Sequence, residues 1–358
     1  MIINRISIFN FKNIEETELS FSPKMNCLFG NNGMGKTNLL DALFYLSFTK
    51  SHTNLLDHQI IRHEQEFCVL QACYADGNTV EEIYCGLKRK SRKIFKRNKK
   101  EYERMSEHIG LIPVVMVSPA DTDLISGGSS ERRKFVDMAI SQYDRDYLRV
   151  LIHYNKVLQQ RNSLLRDGAA DDYLFEALDR QLAADGIVIH EKRCRFVEEF
   201  LPVFRKYYRQ ICSDGEPIDM QYESQFYGDG AENMIASSRQ KDKALGFTSV
   251  GIHKDDFLLL LDKYLIRKVG SQGQNKTCLI ALKLAQFNFL AQKGHSTPIL
   301  LLDDIFDKLD AQRVEQIIAL VARPEFGQIF ITDTNRKYLD EILAGMNHDY
   351  KLFLVENG

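Results

Sequence analysis

The stretch Gly30-Asn31-Asn32-Gly33-Met34-Gly35-Lys36-Thr37 fits the spacing G-x-x-x-x-G-K-[ST]. Its glycines let the backbone curl so that successive N–H groups point inward at phosphate oxygens. In that role Lys36 reaches the β- and γ-phosphates, and the Thr37 hydroxyl takes one position on Mg²⁺. The flanks agree with the motif. An apolar run, residues 25–29, leads in, and Leu39, Leu40, Leu43, Phe44 and Leu46 lead out at helical spacing. A chain of this length would match the four constrained positions by accident about 1% of the time. A strand, a phosphate loop and a helix therefore open an α/β fold.

Working outward, 358 residues suffice for one large α/β domain with an inserted subdomain, or for two domains. The net charge of −2 argues against bulk affinity for nucleic acid, so any such binding must rest on a local patch. Seven cysteines, odd in number and without C-x-x-C spacing, read as reduced thiols and give no zinc site. Neither a signal-peptide layout nor a run of 18 apolar residues occurs, and the expectation is a cytoplasmic protein.

Upstream of the loop, residues 2–9 alternate as a strand does, and residues 18–21 give a shorter one. Lys12 between them is placed either to reach the nucleotide or to sit in a solvated loop. Downstream, residues 51–117 are β-rich. Ten cations crowd residues 88–104, among them Lys93, Lys96, Arg97, Lys99 and Lys100, with Ile94, Phe95 and Tyr102 interleaved. Two readings fit a hairpin turning near Asn98: a contact to nucleic-acid phosphates, or a lysine-protected sheet edge. Residues 114–117 follow as a buried strand. A Gly/Ser cluster then opens a helix that Ser129 or Ser130 could cap.

Residues 131–210 carry helical stripes, with turns expected near Asp167-Gly168 and Asp185-Gly186. After a polar stretch, Gly270-Ser271-Gln272-Gly273-Gln274 opens a strongly apolar helix, a second helix end suited to anions. Residues 298–302 then run into Asp303-Asp304, which reads as a buried parallel strand with acids at its C-terminal end, where α/β sheets place ligands. Asp303 takes the Mg²⁺-holding role and Asp304 that of orienting or deprotonating the attacking water. Residues 328–331 give another buried strand, 338–343 a helix and 352–355 an edge strand. The resulting boundaries are 1–130 for the P-loop lobe, 131–246 for a helical subdomain and 247–358 for the remainder of the ATPase domain.

The order of P-loop, signature-like helix start and Asp-Asp strand resembles the ATPase head of ABC-type proteins. The details resemble the RecF family of bacterial recombination mediators over nearly the whole chain. They are Asn10-Phe11-Lys12-Asn13, Ser118-Pro119, Glu131-Arg132-Arg133 to Asp137, Tyr154-Asn155, Gln160-Arg161-Asn162, Gly251, His253, Asp255-Asp256 and Ser271-Gln272-Gly273-Gln274. The resemblance implies ATP and Mg²⁺ as cofactors, held between two subunits. The P-loop (Gly30, Asn31, Asn32, Gly33, Met34, Gly35, Lys36 and Thr37) with Lys12 then faces Ser271, Gly273 and Gln274 of a second copy. It further implies ATP-driven homodimerisation, slow hydrolysis, binding at single-strand/double-strand DNA junctions and work with RecO and RecR in repair. Ile252, Lys254, Ala120, Ser129 and Asn275 depart from the family's pattern. No clear Q-loop glutamine and no switch histidine at 332–334 can be found, which fits weak hydrolysis. The competing classes are a structural head like that of the structural maintenance of chromosomes (SMC) proteins, which needs long heptad arms, and a small-substrate phosphotransferase.

Overall fold

The computed structural model describes residues 1–77, 79–168, 172–212, 217–226, 230–294, 296–306, 309–334 and 349–356. The chain divides into two compact units: Met1–Thr122 with Gln210–Cys212 and Gln272–Gly358, and Asp123–Arg209 with Ser213–Ser271.

The first unit starts with strands β1 (Ile2–Phe11), β2 (Ile14–Ser20) and β3 (Met25–Phe29), then helices α1 (Lys36–Phe48) and α2 (Asp57–Ile60). Strands β4 (Phe67–Asp76), β5 (Thr79–Lys88), β6 (Ile94–Arg97), β7 (Lys100–Glu101) and β8 (Val114–Val117) follow. In the second unit come α3 (Asp123–Ser126), α4 (Ser129–Ser141), α5 (Arg145–Arg166), α6 (Asp172–Ile211), β9 (Ile218–Glu223), α7 (Ala231–Leu245), β10 (Asp256–Leu261), β11 (Tyr264–Leu265) and α8 (Ile266–Val269). The chain then re-enters the first unit with α9 (Gln272–Lys293), β12 (Ile299–Asp303), α10 (Ala311–Val321), β13 (Ile329–Asp333) and β14 (Tyr350–Leu354).

Within the first unit, β14-β3-β13-β12-β8 form a parallel sheet. Strands β8, β12 and β13 are buried at every position, which is why they read as unbroken apolar runs. A second, antiparallel sheet has the order β2-β1-β4-β5-β6-β7. The buried amide of Gln328 joins the two layers: it donates to the carbonyls of Ile3 and Ser22 at 2.8 Å, and its oxygen accepts from the Ile3 N–H at 2.7 Å. The β6–β7 turn falls at Asn98-Lys99, both with positive φ (51° and 69°), as a tight hairpin requires. Helix α1 is buried nearly all round, so its one carboxylate, Asp41, must find partners inside.

The second unit is built on α4 to α7 and the three-stranded sheet β11-β10-β9. Its family-like motifs turn out to be a polar core. Fully buried Arg161 donates to Asp179 and Asp242 at 2.7 Å each and to Thr248 at 2.9 Å. Arg193 donates to Asp137 at 2.8 Å and Asp255 at 3.0 Å, and Arg132 holds Asp256 at 2.7 Å. Both ring nitrogens of His253 are occupied, Nδ1 against the Tyr154 hydroxyl at 2.8 Å and Nε2 against the Thr248 carbonyl at 3.0 Å. Gly251 just before it has φ 135°, and a Cβ there would lie 2.6 Å from the Tyr154 hydroxyl.

Three expectations need revision. No turn forms at Asp185-Gly186: α6 runs through it as part of a 40-residue helix. Gly186 is there because a Cβ would lie 2.5 Å from the Phe226 ring, a packing demand that mimics a turn signal. Neither Ser129 nor Ser130 caps α4; Gly128 is the N-cap, with no side-chain bond. The second unit, Asp123–Arg209 with Ser213–Ser271, reaches beyond residues 131–246 at both ends, and β10 belongs to it because it pairs with β9 along its length. The helix expected over 338–343 lies outside the described residues.

Candidate functional site

The Gly30–Thr37 turn lies between β3 and α1, at the C-terminal end of the parallel sheet. Gly30, Gly33 and Gly35 have φ of 149°, 83° and 103°, values that a side chain would oppose. A Cβ on Gly30 would meet the Val355 carbonyl oxygen at 2.4 Å, so the residue just past β14 lies directly against the loop. Gly35 caps α1 without a side chain over the helix end, leaving the first amides of the helix open to an anion. Asn13 supports the turn from outside: its amide donates to the Gly33 carbonyl at 3.3 Å, and its oxygen accepts from Asn38 at 2.5 Å.

The Lys36 ammonium folds back onto the Gly30 and Asn31 carbonyls at 2.6 and 2.8 Å. Burial lowers its pKa, and the charges of Asp304, Asp303 and Asp333 act the other way. These acids converge because β12 and β13 are neighbours in register, Asp303 opposite Thr332.

Asp303 is the centre of the arrangement. Its Oδ1 accepts from the Thr37 hydroxyl at 3.0 Å and from the Thr332 hydroxyl at 2.7 Å. Burial pushes the Asp303 carboxyl up, the nearby Asp304 charge adds to this, and the two hydroxyls and His52 oppose it. Asp304 follows in a left-handed conformation, φ 48°, its N–H held by the Thr332 hydroxyl at 3.1 Å. Such strain in a non-glycine residue is tolerated where the surroundings fix it, commonly at a working site. The donor set suits a phosphate chain with a hard cation: an open helix end, an ammonium, and a hydroxyl–carboxylate pair of the kind that shares Mg²⁺. Among the described residues no cluster of three or more His, Cys, Asp or Glu side chains able to hold a metal occurs.

Other sequence-derived residues lie elsewhere. Lys12 is in the first unit but is taken up by Asp41 at 2.7 Å, nearly buried. Gln272, Gly273 and Gln274 form the first turn of α9, with Ser271 and Gln272 exposed. The basic run divides. Lys93 donates to the Thr49 carbonyl at 2.6 Å and pairs with Asp57 at 3.2 Å; Arg97 grips Glu81 through two bonds of 2.6 and 2.7 Å. Both bind the hairpin to its own unit. Lys96 lies over the Tyr84 ring, whereas Lys88, Lys90, Arg92, Lys99, Lys100 and Arg104 are exposed. Sequence reasoning missed Thr332 as the residue that orients both acids, and the Ser51-His52 segment that clamps Asp41.

The parallel sheet, the loop and the acid pair define a P-loop ATPase head of the ABC type. A family model described as the RecF/RecN/SMC N terminal domain matches residues 2–358. A DNA replication and repair protein RecF of Azobacteroides pseudotrichonymphae is 62% identical over 360 residues, covering 100% of this chain and 98% of that one. The structure of the recombination mediator protein RecF-ATP in the RecFOR pathway matches with a TM-score of 0.88 at 28% identity, covering 100% of this chain and 96% of the other. An Smc head domain from Pyrococcus furiosus shares the fold, with a TM-score of 0.57 at 15% identity. The chain belongs to the RecF family of DNA replication and repair proteins.

Proposed function

We propose that the protein binds ATP with Mg²⁺ at Gly30–Thr37 and uses the bound nucleotide to pair two copies of the chain on DNA. The observation that carries the reading is the 3.0 Å bond from Thr37 to Asp303, which joins the phosphate loop to the acid strand. Magnesium, when bound, supplies positive charge to the phosphate oxygens; Thr37 and Asp303 would hold it. Lys36 leaves the Gly30 and Asn31 carbonyls to meet the phosphates. Asp304, kept in position through Thr332, orients or deprotonates the attacking water. The Ser271-Gln272-Gly273-Gln274 turn, exposed at Ser271 and Gln272, supplies the matching half of the site to a second copy. The absence of a switch histidine at 332–334 fits slow hydrolysis.

Family membership supports action in the cytoplasm with RecO and RecR in loading recombinase at single-strand/double-strand junctions, and the RecF-ATP neighbour supports the choice of nucleotide. The DNA contact is assigned to the exposed cations Lys88, Lys90, Arg92, Lys99, Lys100 and Arg104, with Lys96 beside them. Lys93 and Arg97 are engaged internally. An SMC-like structural head has the fold in common but requires heptad arms that this chain lacks.

Light scattering with and without Mg-ATP tests the pairing. A dimer in ATP, lost in Ser271→Arg while nucleotide still binds, is expected. A monomer in saturating ATP overturns the two-copy arrangement.

A further inference from the structure

His52 stands apart from the other buried histidines. His108 bonds through both ring nitrogens, to the Tyr102 hydroxyl at 3.1 Å and the Leu46 carbonyl at 2.6 Å, and His253 does the same. Both are satisfied core residues. The His52 side chain is nine-tenths buried, with Nε2 against Asp121 at 3.4 Å, yet Nδ1 is buried with no hydrogen-bond partner. Leaving such a group without a partner in the interior is unfavourable. The rest of the residue is firmly anchored. Its N–H donates to Asp41 Oδ1 at 2.7 Å, Ser51 donates to Asp41 Oδ2 at 2.7 Å, and the ring lies edge-on to Phe44 at 5.0 Å. Asp41 and Phe44 lie on α1, one and two turns beyond Thr37. The carboxylate beside the ring, Asp121, follows β8, which pairs in parallel with β12, so His52 lies by the strand end that carries Asp303.

On the far side, Asp121 accepts from Lys283 of α9 at 2.8 Å and from the Ser118 N–H at 2.8 Å. His52 thus links the P-loop helix to the helix that begins with the signature turn. With Nε2–H donating to Asp121, Nδ1 is an acceptor.

We propose that His52 is a positioning residue that senses the terminal phosphate: Nδ1 accepts from a phosphate-held water, and Nε2 passes that state through Asp121 to Lys283 on α9. The inference rests on the nucleotide-site reading above. The test measures affinities for ADP and a non-hydrolysable ATP analogue, with Mg²⁺, in the full chain. His52→Gln keeps an amide toward Asp121 and deletes Nδ1; His52→Asn keeps a polar atom near Nδ1. The expected result is a tenfold or larger loss of the ATP-over-ADP preference in His52→Gln, with a melting temperature like that of the parent, and retention within threefold in His52→Asn. Nitrogen NMR on labelled histidine should also show the His52 Nδ1 resonance moving with the analogue and not with ADP. An unchanged preference in His52→Gln, or an Nδ1 resonance indifferent to the analogue, overturns the proposal. Nucleotide binding that survives Lys36→Ala would instead overturn the P-loop reading beneath it.

Discussion

Thr37 and Asp303 are 266 residues apart in sequence, yet the threonine hydroxyl donates to the aspartate at 3.0 Å. Parallel pairing of β13 with both β3 and β12 brings the end of the loop strand and the end of the acid strand to one edge of the sheet. The pair is formed before any ion is added, so the cost of ordering the ligands is met by the fold.

That preformed pair has a thermodynamic consequence. The Asp303 carboxyl is pushed up chiefly by burial, so the native state holds this proton more tightly than the unfolded chain does. Stability from this group is therefore lost as pH rises through the window from the ordinary carboxylate value, about 3.9, to the raised native one. At neutral pH the bare carboxylate is a burden that a cation relieves. Asp303→Asn should raise the melting temperature of the nucleotide-free protein and abolish the further rise on adding Mg-ATP. A variant that melts lower than the parent without nucleotide and still gains from Mg-ATP would contradict this.

Lys36 gives a sharper contrast. Its ammonium is bonded to two loop carbonyls, and it must turn from them to meet a phosphate chain. Replacement by Ala removes a charge-assisted bond worth about 1.5–3 kcal/mol, an expected 10- to 100-fold weaker ATP affinity by fluorescence titration. Equal affinity in the variant would remove Lys36 from the site.

The loop, the start of α9 and the acid strand were legible in the sequence because each carries a plain conformational demand. A glycine must curl, and a carboxylate must end a buried strand. The partners of those groups were not legible. Thr332 looks like any strand-end threonine until register sets it beside Asp303. His52 follows α1 with no signal beyond its polarity, and Gly186 imitates a turn because close packing and positive φ select the same residue. The basic run was readable as charge alone. Which of its members are engaged internally depends on where Glu81, Asp57 and Thr49 stand.

The family-like motifs of the second unit carry stability. Arg161 is fully buried between Asp179 and Asp242, and deleting one partner of such a group leaves charge uncompensated in the interior. Arg161→Met should cost about 3–5 kcal/mol in denaturant unfolding. Early proteolysis in residues 123–271 should accompany the loss. A loss below about 1 kcal/mol would show that the network is solvated.

Two buried histidines predict an acid limb. Burial pushes His108 and His253 down to about 4. A base depressed on folding binds fewer protons in the native state, so its stability contribution is complete above the unfolded value, about 6.5, and is lost as pH falls from there toward 4. The melting temperature should fall between pH 7 and pH 5, with a shallower fall in His253→Asn. A flat profile in the parent would mean that neither ring is held neutral.

The basic hairpin separates a DNA contact from a protected sheet edge by its salt dependence. Lys88, Lys90, Lys99 and Lys100 are exposed, while Arg97 is committed to Glu81 through two bonds. If the exposed lysines meet phosphates, replacing all four by Ala lowers the slope of log affinity against log salt by about 0.9 per contact, about 3 to 4 in total. Arg97→Ala should leave the slope nearly as it was, because that cation neutralises Glu81 whether DNA is present or not. It should instead loosen the β5–β6 pairing. The reverse pattern, a slope that follows Arg97 and ignores the four lysines, would return the exposed cations to the role of keeping an open sheet edge from pairing with other chains.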